Sequence, residues 1–449
     1  MNVQDYLTRI QSDATAALAL LNQPPAGTVV TTSAELTAAL LQGGSITVQP
    51  GTYIGSFVIS VLGTSLSGTK DAILQPDDPT QVTLSICASQ VHVTGISIHG
   101  GTGTAVEVGD PAATTEAAQP DSVTLAGITV VAPGTGAHRG VSLHGTNLML
   151  TSSQVLGYWL NGQDAQAVWG NNGAGPYEIS ACYLEGAANA ILFGGDTIRI
   201  PNCLPSNIMI KDNVCTKPTA WRTNGATVKN AIEIKVGVHV LIDGNTCDGC
   251  WTSGQDGTPI VITVRNQNND TPWALVDDVT ISNNVTKNCV EGKAVNILGS
   301  DDTYPSQQTQ TITIKHNLFT DSPRGIYVNN GVAKALIVTN NTFPGIVPWD
   351  STFLYFIVSN GVKSPLTFTA NALKAGQYGI MSDGMAPGQG VLDQWAAPYM
   401  FSDNFIELNS GDTQFPLPSG NTLLAAGGLA PLMDPTTFKM LPPNTAVGY

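Results

Sequence analysis

The chain has 449 residues, of which only 11% are charged, whereas glycine alone accounts for 47 residues. Its 18 basic and 33 acidic side chains give a net charge of −15, which argues against nucleic acid as a partner because phosphate contacts need clustered cations. No apolar stretch approaches the roughly 18 residues that a membrane-spanning helix requires, so we expect no membrane span. Few charges and many glycines are typical of short strands joined by tight turns.

Two helices are predicted ahead of the first strands. Residues 3–22 repeat apolar side chains at alternating steps of four and three, which is the pattern of a coiled-coil seam. A second helix is predicted over 33–42, because Thr32 and Glu35 have the spacing of a capping box. We therefore assign residues 1–45 to an N-terminal helical cap or assembly segment, which suits a homotrimer or attachment to a larger particle.

One short phrase, an apolar residue followed by two others and an asparagine, recurs through the second half of the chain. Unequal intervals between its copies indicate identical structural rungs joined by loops of different lengths. Because an asparagine amide both donates and accepts hydrogen bonds, stacked copies are predicted to form a ladder between rungs. In earlier and weaker rungs, Ser153 and Cys182 hold the same place. The asparagines of the phrase are Asn213, Asn245, Asn284, Asn317, Asn341, Asn371 and Asn404.

A second family of strands alternates with this phrase and sets the fold class. Its polar residues stand between aliphatic ones, so they form an outward stripe if the aliphatics point inward. Two strand types and a polar turn per rung predict an all-β chain, a single-stranded right-handed parallel β-helix of about ten to twelve rungs over 46–409. Residues 410–449 are predicted to be an irregular tail, without a rung, that packs on the last coil. The predicted stripe contains Glu107, Ser142, His144, Glu233, Lys235, Thr263, Arg265, Asn296, Tyr327 and Asn329.

Segments at both ends of the predicted solenoid carry a family resemblance. The opening SITVQPGTY and the closing TTFKMLPPNTAVGY resemble the pectate-lyase-like β-helix superfamily. The stretch from YLEGAANAILFGGD to VNILGSDDTYPSQQT is similar to bacterial β-helix proteins without an assigned activity. Superfamily members made without an export signal are often bacteriophage virion proteins. The start of this chain, with Asp5 ahead of any apolar run, is not typical of an export signal, so the resemblance implies a virion or extracellular location.

The centre of the stripe is the first candidate active site. Glu233 and Lys235 stand two residues apart on one strand, and Arg265 is predicted close to them on the next rung. A carboxylate beside two cations suits cleavage of an acidic, uronate-containing polysaccharide, with an uncharged amine as the base. EIKVG followed by ITVRNQ is similar to consecutive strands of the alginate lyase and chondroitinase B group. That resemblance implies Lys235 as base, Arg265 as acid and Glu233 as a calcium ligand. This sequence departs from the group's pattern, since no second glutamate stands beside Glu233.

Further polar and aromatic residues predict substrate contacts. Asp301 and Asp302 directly follow a strand, as the paired aspartates of polygalacturonase-type glycoside hydrolases do, but the accompanying His-Gly motif is missing. Tryptophans in or near the long loops suit stacking on sugar rings, and equally suit sealing of the loops onto the helix. The predicted substrate-binding residues are Trp169, Asp196, Trp221, Arg222, Asn296, Asp301, Asp302 and Tyr327.

Three functions of different classes remain open from the sequence. The first is a virion surface protein of the tailspike or capsid-decoration type that presents a glycan-binding groove. The second is a polysaccharide lyase that uses Lys235 and Arg265, with glycoside hydrolysis as the less favoured chemistry. The third is a structural or adhesive solenoid, in which the stripe is an ion-pair ladder on the surface of a sheet.

Overall fold

A computed structural model describes residues 27–409 and 415–449, so the predicted helix over 3–22 lies outside the described residues. The described chain winds into a solenoid whose coils contribute strands to three long sheets. Neighbouring strands of a sheet come from successive coils and pair in parallel, as Ile191 does with Ile232. The predicted all-β parallel solenoid is confirmed. In the described residues two sheets hold 14 strands and the third holds 12, which slightly exceeds the expected number of rungs.

Each sheet collects equivalent strands from along the chain. The first sheet contains Thr28–Val30, Ser45–Val48, Ser65–Ser67, Val91–Thr94, Asp121–Ala126, Thr146–Thr151, Tyr177–Ser180, Ser206–Lys211, Gly237–Asp243, Val276–Ser282, Thr311–Lys315, Ala335–Thr339, Leu366–Thr369 and Tyr399–Ser402. The second sheet contains Gly51–Ile54, Ala72–Gln75, Ser97–His99, Thr129–Val131, Gln154–Tyr158, Tyr183–Gly186, Val214–Thr216, Thr246–Asp248, Val285–Lys287, Leu318–Phe319, Thr342–Phe343, Ala372–Lys374, Phe405–Glu407 and Thr422–Leu424. The third sheet contains Phe57–Ile59, Leu84–Ile86, Thr104–Val108, Arg139–Leu143, Gln166–Gly170, Asn189–Phe193, Ile232–Ile234, Ile260–Thr263, Lys293–Leu298, Arg324–Asn329, Leu354–Ile357 and Ile380–Ser382.

The asparagine turns between the first and second sheets form the predicted ladder. Oδ1 of Asn317 accepts from the backbone N–H and from Nδ2 of Asn284, at 3.0 and 2.9 Å. The Nδ2 group of Asn317 donates to the carbonyl of Ile281 and to Oδ1 of Asn341, both at 2.9 Å. Both ends of the buried amide are therefore satisfied at every such step. The same contacts recur at Asn213, Asn245, Asn341, Asn371 and Asn404.

The ladder continues beyond the seven asparagines at both ends. The backbone N–H of Cys182 donates to Oδ1 of Asn213 at 3.0 Å, which confirms that Cys182 occupies an asparagine place. At the other end, Nδ2 of Asn404 donates to Oδ1 of Asn421 at 2.8 Å, and Thr422–Leu424 adds a parallel strand to the second sheet. The described part of the tail thus adds one ladder residue and one strand to the second sheet, but no strand to the first or third sheet.

Two α-helices flank the described solenoid. The predicted helix near the start is confirmed as Ser33–Gln42, with Thr32 Oγ1 accepting from the Glu35 N–H at 3.2 Å and a Glu35 carboxylate oxygen accepting from the Thr32 N–H at 3.1 Å. This helix buries Leu36 and Leu40 in the core of the first coil. A role of residues 1–45 as a cap stays a prediction. The second α-helix is Gln389–Trp395, and short 3-10 helices occupy Glu116–Ala118, Thr219–Arg222, Gln267–Asn269 and Ala430–Leu432.

Candidate functional site

The third sheet places a row of outward side chains in register from coil to coil. Each strand has buried aliphatic residues on its inner side, such as Ile232 and Ile234, and the residue between them points away from the core. We call the outer surface of this sheet the third-sheet face. The residues in its central row are Ser85, Glu107, Ser142, Trp169, Leu192, Glu233, Val261, Asn296, Tyr327 and Tyr355.

Two positions in this row differ from the predicted stripe. Thr263 was expected beside Glu233, but Val261 stands there because Ile260 and Ile262, rather than the following aliphatic pair, align with the inward isoleucines of the previous coil. Trp169 was expected in or near a loop and instead lies in the strand Gln166–Gly170, in register with Ser142. Apolar and aromatic residues occupy outward places here, so alternation alone could not reveal them.

Glu233 is held at the centre of the face by two amides. Its Oε2 atom accepts from Nδ2 of Asn189 at 2.9 Å and from Nδ2 of Asn230 at 3.1 Å. The Nζ atom of Lys235 lies 3.8 Å from Oε1 of the same carboxylate. The Glu233 residue is only 3% exposed, so the carboxylate is a fixed part of the floor rather than a mobile surface charge. Asn189 lies on the strand of the preceding coil and was not among the predicted site residues.

Lys235 and Arg265 are brought onto consecutive coils, as the sequence predicted. The backbone N–H of Arg265 donates to the carbonyl of Lys235 at 3.0 Å. Their side chains are 18% and 32% exposed respectively, so both remain within reach of a ligand. The turn at Gly194, on the preceding coil, packs closely against the backbone next to Lys235. A Cβ atom on Gly194, which has a φ of +83°, would meet the backbone N of Val236 at 2.9 Å.

Asp301 and Asp302 both bind the guanidinium of Arg265. Asp301 accepts from Nη1 at 3.0 Å, and its other oxygen accepts from the backbone N–H of Asn266 at 2.7 Å. Burial lowers the pKa of Arg265, but hydrogen bonds and negative charge from Asp302 and Asp301 outweigh it and leave the pKa above its ordinary value. The same contact keeps the pKa of Asp302 below its ordinary value despite a rise from burial. The two aspartates thus serve as partners of one cation and as anchors of a loop.

Arg139 and Trp169 form a second charged group that the sequence analysis missed. The guanidinium carbon of Arg139 lies 3.6 Å from the centre of the Trp169 ring, and its Nε donates to Gln166 at 3.2 Å. Burial lowers the pKa of Arg139 to about 10, against the opposing charges of Asp196 and Glu107. Asp196 accepts from the backbone N–H of Thr197 at 2.8 Å, and none of the ion pairs among the described residues joins it to Arg139. Trp169 is 1% exposed, so its ring has no side open to a sugar.

Trp221 and Arg222 lie in a loop at the edge of the face. Trp221 is 5% exposed and packs with Trp251 in a small apolar cluster, which matches the loop-sealing alternative. The guanidinium of Arg222 lies 4.3 Å from the centre of a Trp251 ring and 3.4 Å from a Glu291 carboxylate oxygen. These residues border a cavity of about 280 Å³. Among the described residues, neither Trp221 nor Arg222 forms a hydrogen bond or ion pair with Glu233 or Arg265.

The C-terminal part of the face is more open. Asn296, Tyr327 and Tyr355 follow one another in register and are each partly exposed. The two tyrosine rings meet edge to face with their centres 4.9 Å apart. The Nζ atom of Lys293 lies 5.1 Å from the centre of the Tyr327 ring. This part of the face offers aromatic edges, an amide and a cation to a ligand in solution.

The residues around Glu233 do not fit the calcium site that the resemblance implied. Calcium takes six to eight oxygen ligands, usually with several carboxylates. Glu233 offers one carboxylate, and the amide nitrogens of Asn189 and Asn230, not their oxygens, face it. In the described part of the chain, no group of three or more His, Cys, Asp or Glu side chains is placed to hold a metal ion. No step considered below passes through calcium.

The family described as "Right handed beta helix region" matches residues 140–343, which include the whole centre of the face. The chain has the fold of a right-handed parallel β-helix. No curated protein sequence matches it significantly. Within the described residues, no helix has the length and apolar character needed to cross a membrane.

Solved structures share this β-helix at low sequence identity. The PL6-family alginate lyase AlyGC matches with a TM-score of 0.59 and 13% identity, over 89% of this chain and 53% of the lyase. The catalytic unit of a GH87 α-1,3-glucanase from Streptomyces thermodiastaticus gives 0.53 and 13%, over 91% and 70%. A mannuronic-acid-specific family 6 lyase from human gut microbiota gives 0.50 and 12%, over 87% and 91%. Identities this low show the fold alone, and this chain spans about half the length of AlyGC.

Proposed function

We propose that this protein binds a polysaccharide along the third-sheet face. The observation that carries the proposal is the register of Asn296, Tyr327 and Tyr355, which places one partly exposed outward side chain on each of three successive coils. Tyrosine rings pack on the apolar faces of sugars, and an amide can both donate to and accept from sugar hydroxyl groups.

The spacing of the coils suits a polymer. Neighbouring parallel strands lie about 4.8 Å apart, which is close to the length of one sugar unit in an extended chain. A glycan along the solenoid axis would therefore present one sugar to each coil. Lys293 and Arg324, which stand in register at the starts of their strands, would donate hydrogen bonds to the same sugars.

The proposal is tested by measuring dissociation constants for a panel of neutral and acidic polysaccharides. Replacing Tyr327→Ala or Tyr355→Ala removes a stacking surface, and we expect roughly three- to tenfold weaker binding for each variant. Tyr183→Ala is the matched control, because Tyr183 is a partly exposed tyrosine on the outside of the second sheet. Equal loss in all three variants, or no loss in any, would argue against binding at this face. No binding to any polysaccharide would favour a structural or adhesive solenoid.

A polysaccharide lyase is a second candidate, favoured by the placement of Lys235 and Arg265 on consecutive coils. An uncharged Lys235 amine would take the proton beside the carboxyl group of a uronate sugar. The electron pair left behind would form a carbon–carbon double bond as the glycosidic carbon–oxygen bond breaks. The leaving oxygen would receive a proton from the guanidinium group of Arg265.

The lyase candidate predicts an unsaturated product that absorbs in the ultraviolet. Wild-type protein incubated with alginate, polygalacturonate or chondroitin should give rising absorbance, and Lys235→Ala should give none. Lys287→Ala is the control, since Lys287 pairs with Asp248 on the second sheet, away from the third-sheet face. A flat trace for wild type on all three substrates would exclude this chemistry for them and leave polysaccharide binding as the function.

We further propose that the protein is a virion surface protein that presents the third-sheet face to glycans. This proposal rests on the sequence resemblance and on the apolar seam predicted over residues 3–22. Co-purification of the protein with phage particles would support it.

A further inference from the structure

We infer that the glycan bound by the third-sheet face is uncharged. This inference rests on the polysaccharide-binding function proposed above and specifies its substrate class. The observation behind it is that four of the five cations on the third-sheet strands, or within two residues of them, already form an ion pair with a protein carboxylate, and the fifth lies against a tryptophan ring.

Four of these cations form ion pairs: Lys235 with Glu233, Arg265 with Asp301 and Asp302, Lys293 with Asp256, and Arg324 with Asp350. The fifth, Arg139, lies against the Trp169 ring and donates to Gln166.

The central carboxylates are fixed and cannot turn away for a ligand. The Asp301 side chain is 2% exposed, and it accepts from the backbone N–H groups of Asn266 at 2.7 Å and Thr303 at 2.9 Å. Glu233 is held by the amides of Asn189 and Asn230. A carboxylate or sulfate on the glycan would therefore approach Lys235 or Arg265 beside an anion that stays in place.

An anionic group of the glycan and a protein carboxylate that share one cation repel each other. The net charge of −15 adds a long-range repulsion of polyanions. Sugar hydroxyl groups have no such conflict, because a hydroxyl both donates and accepts. A cation–carboxylate pair offers it one donor and one acceptor side by side. The same paired charges that exclude an acidic glycan are suited to a neutral one, and they weigh against the uronate lyase.

The inference is tested with polysaccharides that share a backbone and differ in charge. The pairs are methyl-esterified pectin with polygalacturonate, propylene glycol alginate with alginate, and dextran with dextran sulfate. At low ionic strength, we expect the protein to bind the uncharged member of at least one pair ten times more tightly than the charged member. Tighter binding of the charged members would overturn the inference but leave polysaccharide binding intact. Binding to no member of any pair would instead count against the proposed function.

One variant separates charge from shape. Asp302→Asn leaves the fold in place, since the Asp302 side chain is 50% exposed, but it removes one of the two partners of Arg265. We expect it to reduce the preference for the uncharged member by at least threefold at low salt, with the change disappearing at about 1 M salt, where screening is nearly complete. Asp212→Asn is the control, because Asp212 is an exposed aspartate beside Lys211 in the turn that follows the first-sheet strand Ser206–Lys211. An unchanged preference in Asp302→Asn would argue that charge does not set the specificity.

Discussion

At the scale of single residues, His144 shows how burial fixes a protonation state on the third-sheet face. Its ring is fully buried, and Nδ1 accepts from the backbone N–H of Asn172 at 3.3 Å. Burial lowers the pKa of His144 to about 3, and the charge of Arg139 acts in the same direction. The ring packs edge to face on Trp169, with centres 4.8 Å apart. The native protein therefore needs His144 uncharged.

His144 should make the protein sensitive to acid. Because its pKa is lower in the folded chain than the ordinary 6.5, the unfolded chain binds a proton that the native chain refuses. The contribution of the neutral ring to stability is complete above pH 6.5 and is lost as pH falls from there toward about 3. Between pH 7 and pH 5, wild type should lose about 2 kcal/mol more unfolding free energy than His144→Gln.

Urea unfolding at several pH values measures this difference. His316→Gln serves as the control for the loss of a histidine, since His316 is exposed in a turn of a later coil. Parallel stability curves for wild type and His144→Gln would contradict the prediction.

A second prediction at this scale concerns the backbone conformation of the residue that directly precedes each ladder asparagine. Ala370 has a φ of +55°, in the left-handed region that disfavours residues with a Cβ atom. Glycine adopts this region freely, so Ala370→Gly should raise the unfolding free energy by about 0.5–1 kcal/mol. Ala335→Gly, at a strand position without a positive φ, should lower it by a similar amount. Changes of the same sign in the two variants would contradict the argument.

At the scale of elements, the asparagine ladder ties the first and second sheets together. Removing Asn317 leaves the backbone N–H of Asn284 and the carbonyl of Ile281 without partners inside the protein. Each buried polar group left unsatisfied costs about 1–3 kcal/mol, so Asn317→Ala should lower the unfolding free energy by about 3–5 kcal/mol. Asn421→Ala, at the partly exposed end of the ladder, should cost about 1 kcal/mol. Chemical denaturation of both variants measures the contrast, and equal losses would show that the ladder is not cooperative along its length.

The ladder was predictable from sequence because a buried amide in a repeated turn tolerates few replacements. The third-sheet face was less predictable. Its outward row includes Trp169 and Val261, which are apolar and therefore look like core residues in the sequence. For this reason the predicted register placed Thr263, two positions too far along the chain, where the structure has Val261. The partner of Glu233 also lies across coils, at Asn189, and loop lengths decide which residues meet in that way. Arg139 was not predicted as a site residue because the residues it contacts, Trp169 and Gln166, are distant in sequence. Its position at the start of a third-sheet strand could have indicated that it lies on the face.

At the scale of the whole molecule, the described chain needs no second copy to bury its core. One continuous apolar cluster runs from Val30 to Ile406, and the coils stack on their neighbours along its length. A solenoid of this kind is stabilised mainly by contacts between adjacent coils. The apolar seam predicted over residues 3–22 is a candidate for assembly, since apolar side chains at alternating steps of four and three are typical of coiled coils.

We therefore predict that the full chain is a homotrimer held by this seam. Leu7→Asp combined with Ile10→Asp places two charges in the seam, and sedimentation equilibrium should show conversion of a trimer to a monomer. If the seam serves assembly alone, the thermal unfolding midpoint of the β-helix should stay unchanged in this double variant. Leu41→Asp is the control, since Leu41 is 72% exposed on the helix Ser33–Gln42 and its change should leave the trimer intact. A wild-type monomer whose midpoint falls in the double variant would instead show that residues 3–22 cap their own solenoid.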